Sequence, residues 1–538
     1  MSNIVKGTMI LTGATFLSKF LGMIYVIPFN EVVGETGGTL FAFAYNPYSI
    51  LISISTIGVP LAVSKFVSKY NALGDYETGM RMFKAGIMLM AVTGILAFLG
   101  LFIGAEWLAG FMITDEDNGI AVDDITMVIR MVSFALLIIP SMSIVRGFFQ
   151  GHQSMEPTAI SQVVEQIVRI SFILIASFTV VKILDGSIVT AVGFATFAAF
   201  IGALASCIVL FIFWQKHKSG IRSTIQQQKK TYDIPLRSLF AELFRYAGPF
   251  VMVGVAVPLY QLVDQFTMAR AMTAIGQYDL FDAAYSTINY YGHKLVIIPV
   301  TIATGMSLTI VPAMTETYMQ NNRSLLHQQI NQALQIVLVL VVPAVVGLVV
   351  LSHEAYGALF GMGNIDFRGG LLAWYAPAAL MFALFTVTSS VLQGINRQQF
   401  AVISLSAGVL VKVLLNIQLI HTFGAKGAIF GTVLASGTAV ALNLWRIKTS
   451  INFSFQQTFK RFLLICIFSV FMVIAIAIVK GLFGMFLDYE TFRFSAAMML
   501  VAGVAIGGLV YVWFSYQSTL LERVLGERVH ILDRLFHR

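Results

Sequence analysis

Long apolar segments alternate with short polar connections along the whole chain. A hydrocarbon core of about 30 Å is crossed by roughly 20 helical residues, and most of the apolar segments reach that length. Since backbone groups in lipid must be satisfied within the segment, each such segment predicts a membrane-spanning helix. The pattern therefore predicts an all-α polytopic membrane protein with about fourteen spans. Their approximate limits are 8–30, 40–64, 84–110, 125–148, 158–181, 189–214, 244–270, 283–312, 329–352, 369–393, 400–421, 427–447, 462–486 and 493–516.

One segment of the chain occurs twice. "RGFFQGHQSMEPTAISQVVEQIVR" and "SSVLQGINRQQFAVISLSAGVLVK" share Gln, Gly, Ile and Ser at one constant offset and end in Arg169 and Lys412. Each copy covers a span, a short turn and the next span, so both have the same predicted orientation. This indicates parallel repeats, as in transporters built from duplicated bundles.

The repeat predicts two six-helix lobes followed by two further helices. The predicted divisions are an N-terminal lobe at 1–214, a basic cytoplasmic linker at 215–243, a C-terminal lobe at 244–450, two additional spans at 451–517 and an amphipathic cytoplasmic tail at 518–538.

The distribution of charge indicates how the chain is oriented. With both termini placed in the cytoplasm, 23 Lys and Arg residues lie in inner segments and six in outer segments. This asymmetry follows the positive-inside rule, so the net charge of +8 reflects membrane orientation and predicts no nucleic-acid partner.

Motifs for enzyme chemistry are missing from the sequence. It has no Walker A loop, no G-x-S-x-G and no H-E-x-x-H, and its eight histidines lack metal-ligand spacing. The acidic run Asp115–Asp117 lies in a predicted outer segment, where we expect no chemistry. Cys207 and Cys466 lie in apolar runs and are interpreted as packing residues. We predict no enzyme, no metal and no cofactor.

Basic residues within spans are the strongest functional signal, because a Lys or Arg at a helix centre costs about 2.5 to 3.5 kcal/mol on insertion scales. Lys19 and Lys294 lie near the predicted midplane and have no acid three or four residues away. Two interpretations are open: they face a wet cavity that admits an anionic substrate, or each belongs to a buried structural ion pair. The five basic residues within spans are Lys19, Arg130, Arg169, Lys294 and Lys412.

The other three cations have simpler interpretations. Arg169 follows Glu165 by one helical turn, and this spacing favours a structural ion pair. For Lys412 the predicted partner is Asp264 on the seventh span. Arg130 lies near the outer face, where its side chain can reach the interface.

Several segments resemble a known family of exporters. The motifs are "SKFLGMIYVIPF" on the first span, "IGVPLAVSKFVSKYNALGD" closing the second, "QGHQSMEPTAISQVVEQIVR" across the fourth and fifth, and "YYGHKLVIIPV" on the eighth. They resemble the multidrug/oligosaccharidyl-lipid/polysaccharide exporter superfamily, and within it the MurJ/YtgP type of lipid II flippase found in Gram-positive bacteria. The resemblance implies two lobes around a central cationic cavity, a hydrophobic groove at the last two helices, and alternating access.

The resemblance also implies roles for single residues. Lys19 and Lys294 stand where family members carry functional arginines and are the candidate diphosphate-binding residues. Tyr25 stands where some members have a second span-one arginine. Tyr25, His293 and Arg130 are secondary candidates for lining or gating the cavity.

A sodium site of some relatives is altered here. Asp264, Lys412 and Asn416 match its three ligand positions. Because Lys412 brings an ammonium group to a ligand position, we expect it to take the place of the cation.

The leading functional hypothesis is a flippase that moves the undecaprenyl-diphosphate-linked peptidoglycan precursor to the outer leaflet of the cytoplasmic membrane, driven by membrane potential or an ion gradient. Expected partners are the lipid-linked oligosaccharide, membrane lipids and the cell-wall synthesis machinery. The alternatives are export of another lipid-linked glycan, export of amphipathic drugs, and a membrane scaffold without transport. Drug export ranks lower, because cationic drugs need an acidic site.

Overall fold

The computed structural model is helical throughout its described part, which comprises residues 3–54, 56, 59–113, 120–226, 235, 238 and 251–525. This agrees with the predicted all-α membrane fold. The acidic run Asp115–Asp117, about half of the basic linker and the tail residues 526–538 lie outside the described residues.

The chain forms two compact units, Met1–Arg270 and Ala271–Arg538. The predicted boundary at the linker 215–243 lies earlier in the chain, and the predicted division into lobes remains a prediction. The helices of the first unit are α1 (Asn3–Ile24), α2 (Val26–Ser53), α3 (Val59–Ala72), α4 (Tyr76–Ile103), α5 (Ala105–Met112), α6 (Val122–Ser133), α7 (Ile139–Gly151), α8 (Glu156–Phe178), α9 (Ile188–Gln226) and α10 (Ala256–Ala274), whose last residues belong to the second unit.

The second unit is also built from helices. They are α11 (Phe281–Ser286), α12 (Gly292–Met319), α13 (Arg323–Val350), α14 (Ser352–Phe360), α15 (Ile365–Tyr375), α16 (Ala378–Gly394), α17 (Gln398–Phe423), α18 (Ala425–Ile451), α19 (Gln456–Gly484), α20 (Arg493–Gln517) and α21 (Leu520–Leu525). A π-helical segment, Thr287–Tyr291, leads directly into α12.

Within the described ranges, ten helices are long and apolar enough to cross a membrane, and eleven if the bent pair Gly13–Ile24 and Val26–Ser53 counts as one span. The predicted total of fourteen therefore remains a prediction. In the predicted span 40–64, α2 ends at Ser53, residues 55, 57 and 58 lie outside the described residues, and α3 begins at Val59. The predicted span 283–312 passes through the π-helical segment. The predicted span 244–270 begins outside the described residues.

Glycine permits one sharp turn within α2. Gly34 has φ 64° and ψ −156° inside the helical stretch, a conformation that a residue with a Cβ rarely adopts. The turn separates the apolar residues of the predicted first span from those of the second. It allows two predicted spans to follow one another with almost no loop.

The repeated segment has the same backbone in both units. α7 ends at Gly151 and α16 at Gly394. In the turn after each helix one residue is left-handed, Gln153 in the first unit and Asn396 in the second, both with φ 59°. The end of the first helix and the turn after it are thus alike in the two copies, and the repeat over both spans remains a prediction.

Candidate functional site

Lys19 lies on α1, which is held against α8 by small polar contacts. The Thr15 hydroxyl donates to Oε1 of Gln162 at 3.3 Å, and the Ser18 hydroxyl donates to the Gln162 carbonyl at 3.4 Å. The Lys19 side chain is exposed on the surface of the first unit. No carboxylate among the described residues lies within ion-pair distance of it.

Lys294 lies in the first turn of α12, just after the π-helical segment. Its Nζ lies 5.6 Å from the ring centre of Tyr290, which is one helical turn earlier. It is half-buried, and the described part of the second unit provides it with no carboxylate partner. π-helical turns interrupt the regular hydrogen-bond ladder and frequently occur at functional sites. Of the two interpretations of the mid-span lysines, these contacts favour the one without a permanent ion pair.

The secondary candidates have local partners. Nδ1 of His293 lies 2.8 Å from the hydroxyl of Tyr375 on α15. The Tyr25 side chain is 5% exposed and its ring lies 6.4 Å from that of Phe29. His293 is adjacent to Lys294 in the sequence, and Tyr25 follows Lys19 by six residues. Their roles in gating remain predictions.

The predicted ion pair between Glu165 and Arg169 is wrong. Glu165 accepts a hydrogen bond from Nη2 of Arg146 at 2.7 Å, and the guanidinium of Arg169 lies 5.6 Å from the ring centre of Tyr45. Helical spacing brings two side chains to one face, but neighbouring helices decide which partner each one meets. Here α7 supplies a stronger partner for Glu165.

Arg146 is a residue that the sequence analysis missed, because it lies at the predicted inner end of the fourth span and was counted only among the 23 inner Lys and Arg residues. Its guanidinium also donates to Ser161 at 3.0 Å and to Ser206 at 2.8 Å, so it joins α7, α8 and α9. The only signal in the sequence was the polar pair Ser161 and Glu165 on one face of the fifth span.

Lys412 is buried in the second unit. Its side chain is 0% exposed and its Nζ donates to Oγ1 of Thr432 at 2.6 Å. Asn416, one turn along α17, is also 0% exposed. Asp264 is buried in the first unit, and its pairing with Lys412 remains a prediction.

Arg130 lies at the end of α6, where Nε donates to the carbonyl of Phe102 at 3.3 Å. Its Nη2 lies 4.0 Å from Oε2 of Glu106, and both side chains are exposed. The arginine thus interacts with the C-terminal end of α4, where the helix dipole favours a cation. These contacts describe an anchoring residue at the edge of the first unit.

The second unit contains an apolar groove of about 510 Å³. Helices α12, α13, α19 and α20 form its walls. Lining residues include Leu295, Ile298, Pro299, Pro343, Met472 and Tyr511. Lys294 lies one helical turn before Ile298, so a cation and the groove share a helix.

An ion pair connects α19 to α14 near this groove. Nζ of Lys480 lies 2.7 Å from Oε1 of Glu354 and donates to the carbonyl of Val350 at 2.7 Å. Arg493, at the start of α20, donates to the carbonyls of Ala358 and Leu359 at 2.9 and 3.1 Å. The last two long helices are therefore tied to α14 at one end.

Metal ligands are not clustered in the described residues: they contain no group of three or more His, Cys, Asp or Glu side chains placed to hold a metal ion. The chemistry available at the candidate positions is that of ammonium groups, hydroxyls and an apolar groove.

These features define a polytopic α-helical membrane protein of the exporter class, built from a repeated helical segment. The chain belongs to the family described as polysaccharide biosynthesis protein, whose model matches residues 4–318, and to the MurJ type within the MOP superfamily.

Two relatives from Bacillus subtilis (strain 168) illustrate this placement. The lipid II flippase MurJ is 44% identical over 531 residues, which cover 98% of each chain. Stage V sporulation protein B is 26% identical over 540 residues, which cover 99% of each chain.

Solved structures support the fold. A lipid II flippase MurJ in an inward closed conformation has a TM-score of 0.67 at 18% identity, covering 96% of this chain and 99% of that one. An inward-facing MATE family multidrug resistance transporter of the MOP superfamily has a TM-score of 0.60 at 17% identity, covering 80% of this chain and 95% of that one.

Proposed function

We propose that this protein is a lipid II flippase of the cytoplasmic membrane, with both termini cytoplasmic and a Gram-positive host. It is a transporter and carries out no covalent chemistry. The full-length similarity to MurJ of Bacillus subtilis supports the substrate. The relative named for sporulation keeps export of another lipid-linked glycan as the alternative.

One observation carries the proposal from the residues. Lys294 has no carboxylate partner among the described residues and lies one helical turn from the apolar groove. A lipid-linked diphosphate has the matching chemistry, because its anionic head pairs with an ammonium group while its polyprenyl tail favours an apolar surface.

Lys19 supplies the second cation. Its ammonium group is exposed on the first unit and can pair with a diphosphate head group. Charge contacts of this kind strengthen as water is excluded. Such a contact would hold the head group within the membrane while the tail remains in lipid.

The driving force needs no nucleotide. With the cell interior negative, moving one negative charge outward is favoured by about 2.3 kcal/mol per 100 mV. A diphosphate with two charges gains roughly twice that. A membrane potential therefore suffices to bias the loaded step, and an ion gradient could reset the empty carrier.

The decisive experiment is depletion of the protein in cells that lack redundant flippases, followed by measurement of the lipid II accessible from outside the cell. We expect accessible lipid II to fall while total lipid II rises. Unchanged exposure of lipid II would reject the function. A fall in the outside exposure of another lipid-linked glycan alone would favour the alternative.

The expected partner is tested separately, by co-purification of the protein with cell-wall synthases.

Substitution of the lysines tests the site in the same cells. Lys19→Gln and Lys294→Gln each remove one positive charge from a proposed diphosphate contact, and we expect at least a tenfold loss of lipid II exposure at normal protein abundance. Lys182→Gln is the matched control, because Lys182 is exposed in the connection after α8 and has no proposed contact. Normal rescue by Lys19→Gln or Lys294→Gln would reject the role of that lysine.

A further inference from the structure

Arg169 is left without an acidic partner because Glu165 is engaged elsewhere. The carboxylate of Glu165 lies 2.7 Å from Arg146, and the side chains of this pair are only 18% and 17% exposed. Ser161 and Ser206 accept the other hydrogen bonds of Arg146. Arg146 therefore satisfies Glu165, and no carboxylate of the described residues lies within ion-pair distance of Arg169.

Tyrosines surround Arg169. The guanidinium lies 5.6 Å from the ring centre of Tyr45 and donates a hydrogen bond to its hydroxyl. Tyr25 and Tyr48 lie close enough to interact electrostatically with the same group. Rings of this kind stabilise a cation through their faces, but they carry no charge that would neutralise it.

The guanidinium keeps the capacity to bind an anion. Arginine has five N–H donors in a planar fork, and that fork matches the oxygens of a phosphate group. Arg169 and Tyr45 are both half-buried, while Tyr25 and Tyr48 are buried. The equivalent repeat position, Lys412, is 0% exposed and donates to Thr432. Arg169 is therefore the less enclosed of the two cations at this repeat position.

The packing of α1 on α8 shows which residue of α1 lies at the same height along the helix axes as Arg169. Thr15 contacts Gln162, and a Cβ at Gly22 would lie 3.0 Å from the Gln166 side chain. Residue numbers increase together along both helices, so the helices run parallel. Arg169 therefore lies near the level of Tyr25, six residues beyond Lys19, which is about 9 Å at 1.5 Å per residue.

We propose that Arg169 with Tyr25, Tyr45 and Tyr48 forms a second anion site in the first unit, which receives the diphosphate of the substrate after Lys19. The proposal rests on the proposed lipid II function and adds a step to it. Two cationic positions at successive levels let the head group exchange one contact for the next, so that it is never without a counter-charge. The tyrosines hold the fork in place while the site is empty.

The test uses the purified full-length chain in nanodiscs of phosphatidylcholine. Binding of lipid II with a shortened polyprenyl chain is measured, and inorganic pyrophosphate is added as a competitor. We expect Arg169→Gln to weaken lipid II binding about tenfold, the effect of losing one charge-assisted contact, and to reduce competition by pyrophosphate. Lys182→Gln is the control, since Lys182 is an exposed cation of the same unit with no proposed contact, and it should bind like the wild type.

Two conservative variants keep the test valid if Arg169→Gln does not fold. Arg169→Lys retains the charge but loses the fork, and Tyr45→Phe retains the ring but loses the hydroxyl. Both should weaken pyrophosphate competition while the melting temperature stays within the range of the control. A purely structural role would lower the melting temperature and leave binding by the folded fraction unchanged, and that result would overturn the proposal.

The remaining outcomes separate this proposal from the proposed function. If the wild type neither binds nor moves lipid II, the proposed function fails. If the wild type does both and the Arg169 variants match it, only the second site fails. In nanodiscs that also contain phosphatidylglycerol, loss of bound phosphatidylglycerol by Arg169→Gln with unchanged lipid II binding would assign the site to a membrane phospholipid and overturn the role in transport.

Discussion

The two copies of the repeated segment share a backbone and differ in their polar chemistry. In the first unit Arg146 connects Ser161, Glu165 and Ser206 through charged hydrogen bonds. The second unit has a neutral counterpart: Asn443 accepts from Ser404 at 2.6 Å and donates to Thr388 and Ser389 at 3.1 Å. The serines Ser161 and Ser404 occupy the same repeat position.

The two copies have the same helix ends and turn but differ in the charge of their buried polar side chains. In the first unit, Arg146 binds the carboxylate of Glu165, which would otherwise have neutralised Arg169. Among the described residues, the Asn443 network of the second unit includes no carboxylate, and the lysine at the matching position is buried against a threonine. The same fold thus yields a half-buried cation in one unit and a fully buried one in the other.

The strongest test of the difference is Arg146→Met. Removal of the guanidinium leaves Glu165 without its partner, and breaking a buried pair in this way costs about 3 to 5 kcal/mol. We expect a loss of this size in the free energy of unfolding, measured by detergent titration in mixed micelles. The double variant Arg146→Met with Glu165→Met should recover much of the loss. A single variant as stable as the wild type would show that the network is not a stabilising feature of the first unit.

Substitution of the glycines tests the shared backbone. A Cβ at Gly151 would lie 2.8 Å from the Ser64 carbonyl oxygen, and a Cβ at Gly394 would lie 2.8 Å from Cβ of Met314. Gly151→Ala and Gly394→Ala should therefore each destabilise the protein by about 1 to 3 kcal/mol through overpacking. The melting temperature of each purified variant is the measurement. If only one variant is destabilised, the close helix approach is not a common feature of the repeat.

The matched serines predict the smallest difference, about 1 kcal/mol between two single variants. Ser161→Ala removes an acceptor from a charged group, which is worth about 1.5 to 3 kcal/mol, whereas Ser404→Ala removes a neutral hydrogen bond worth about 0.5 to 1.5 kcal/mol. We expect Ser161→Ala to be the more destabilising of the two in the same unfolding assay. Equal losses would mean that the charge on Arg146 adds nothing to the network.

Part of the candidate site could be predicted from the sequence. Lys19 and Lys294 were identified because each interrupts an apolar span with no acid at helical spacing, and neither has a carboxylate partner among the described residues. The Glu165 and Arg169 pair was predicted by the same spacing rule and was wrong. The four-residue spacing rule applies only within one helix, whereas the partner of Glu165 is Arg146 on α7.

The apolar pattern by itself determined that this chain is a helical membrane protein, since a backbone in lipid must satisfy its hydrogen bonds within each segment. The constant offset between the two copies likewise indicated the repeat, and both copies end their first helix at the glycine of a shared Gln-Gly pair. Only the tertiary structure decided which charges are neutralised. Ion pairs form over a few ångströms between helices that are distant in sequence, and their strength falls steeply with separation and solvent exposure. Arg146, Glu165 and Arg169 received their partners from that packing.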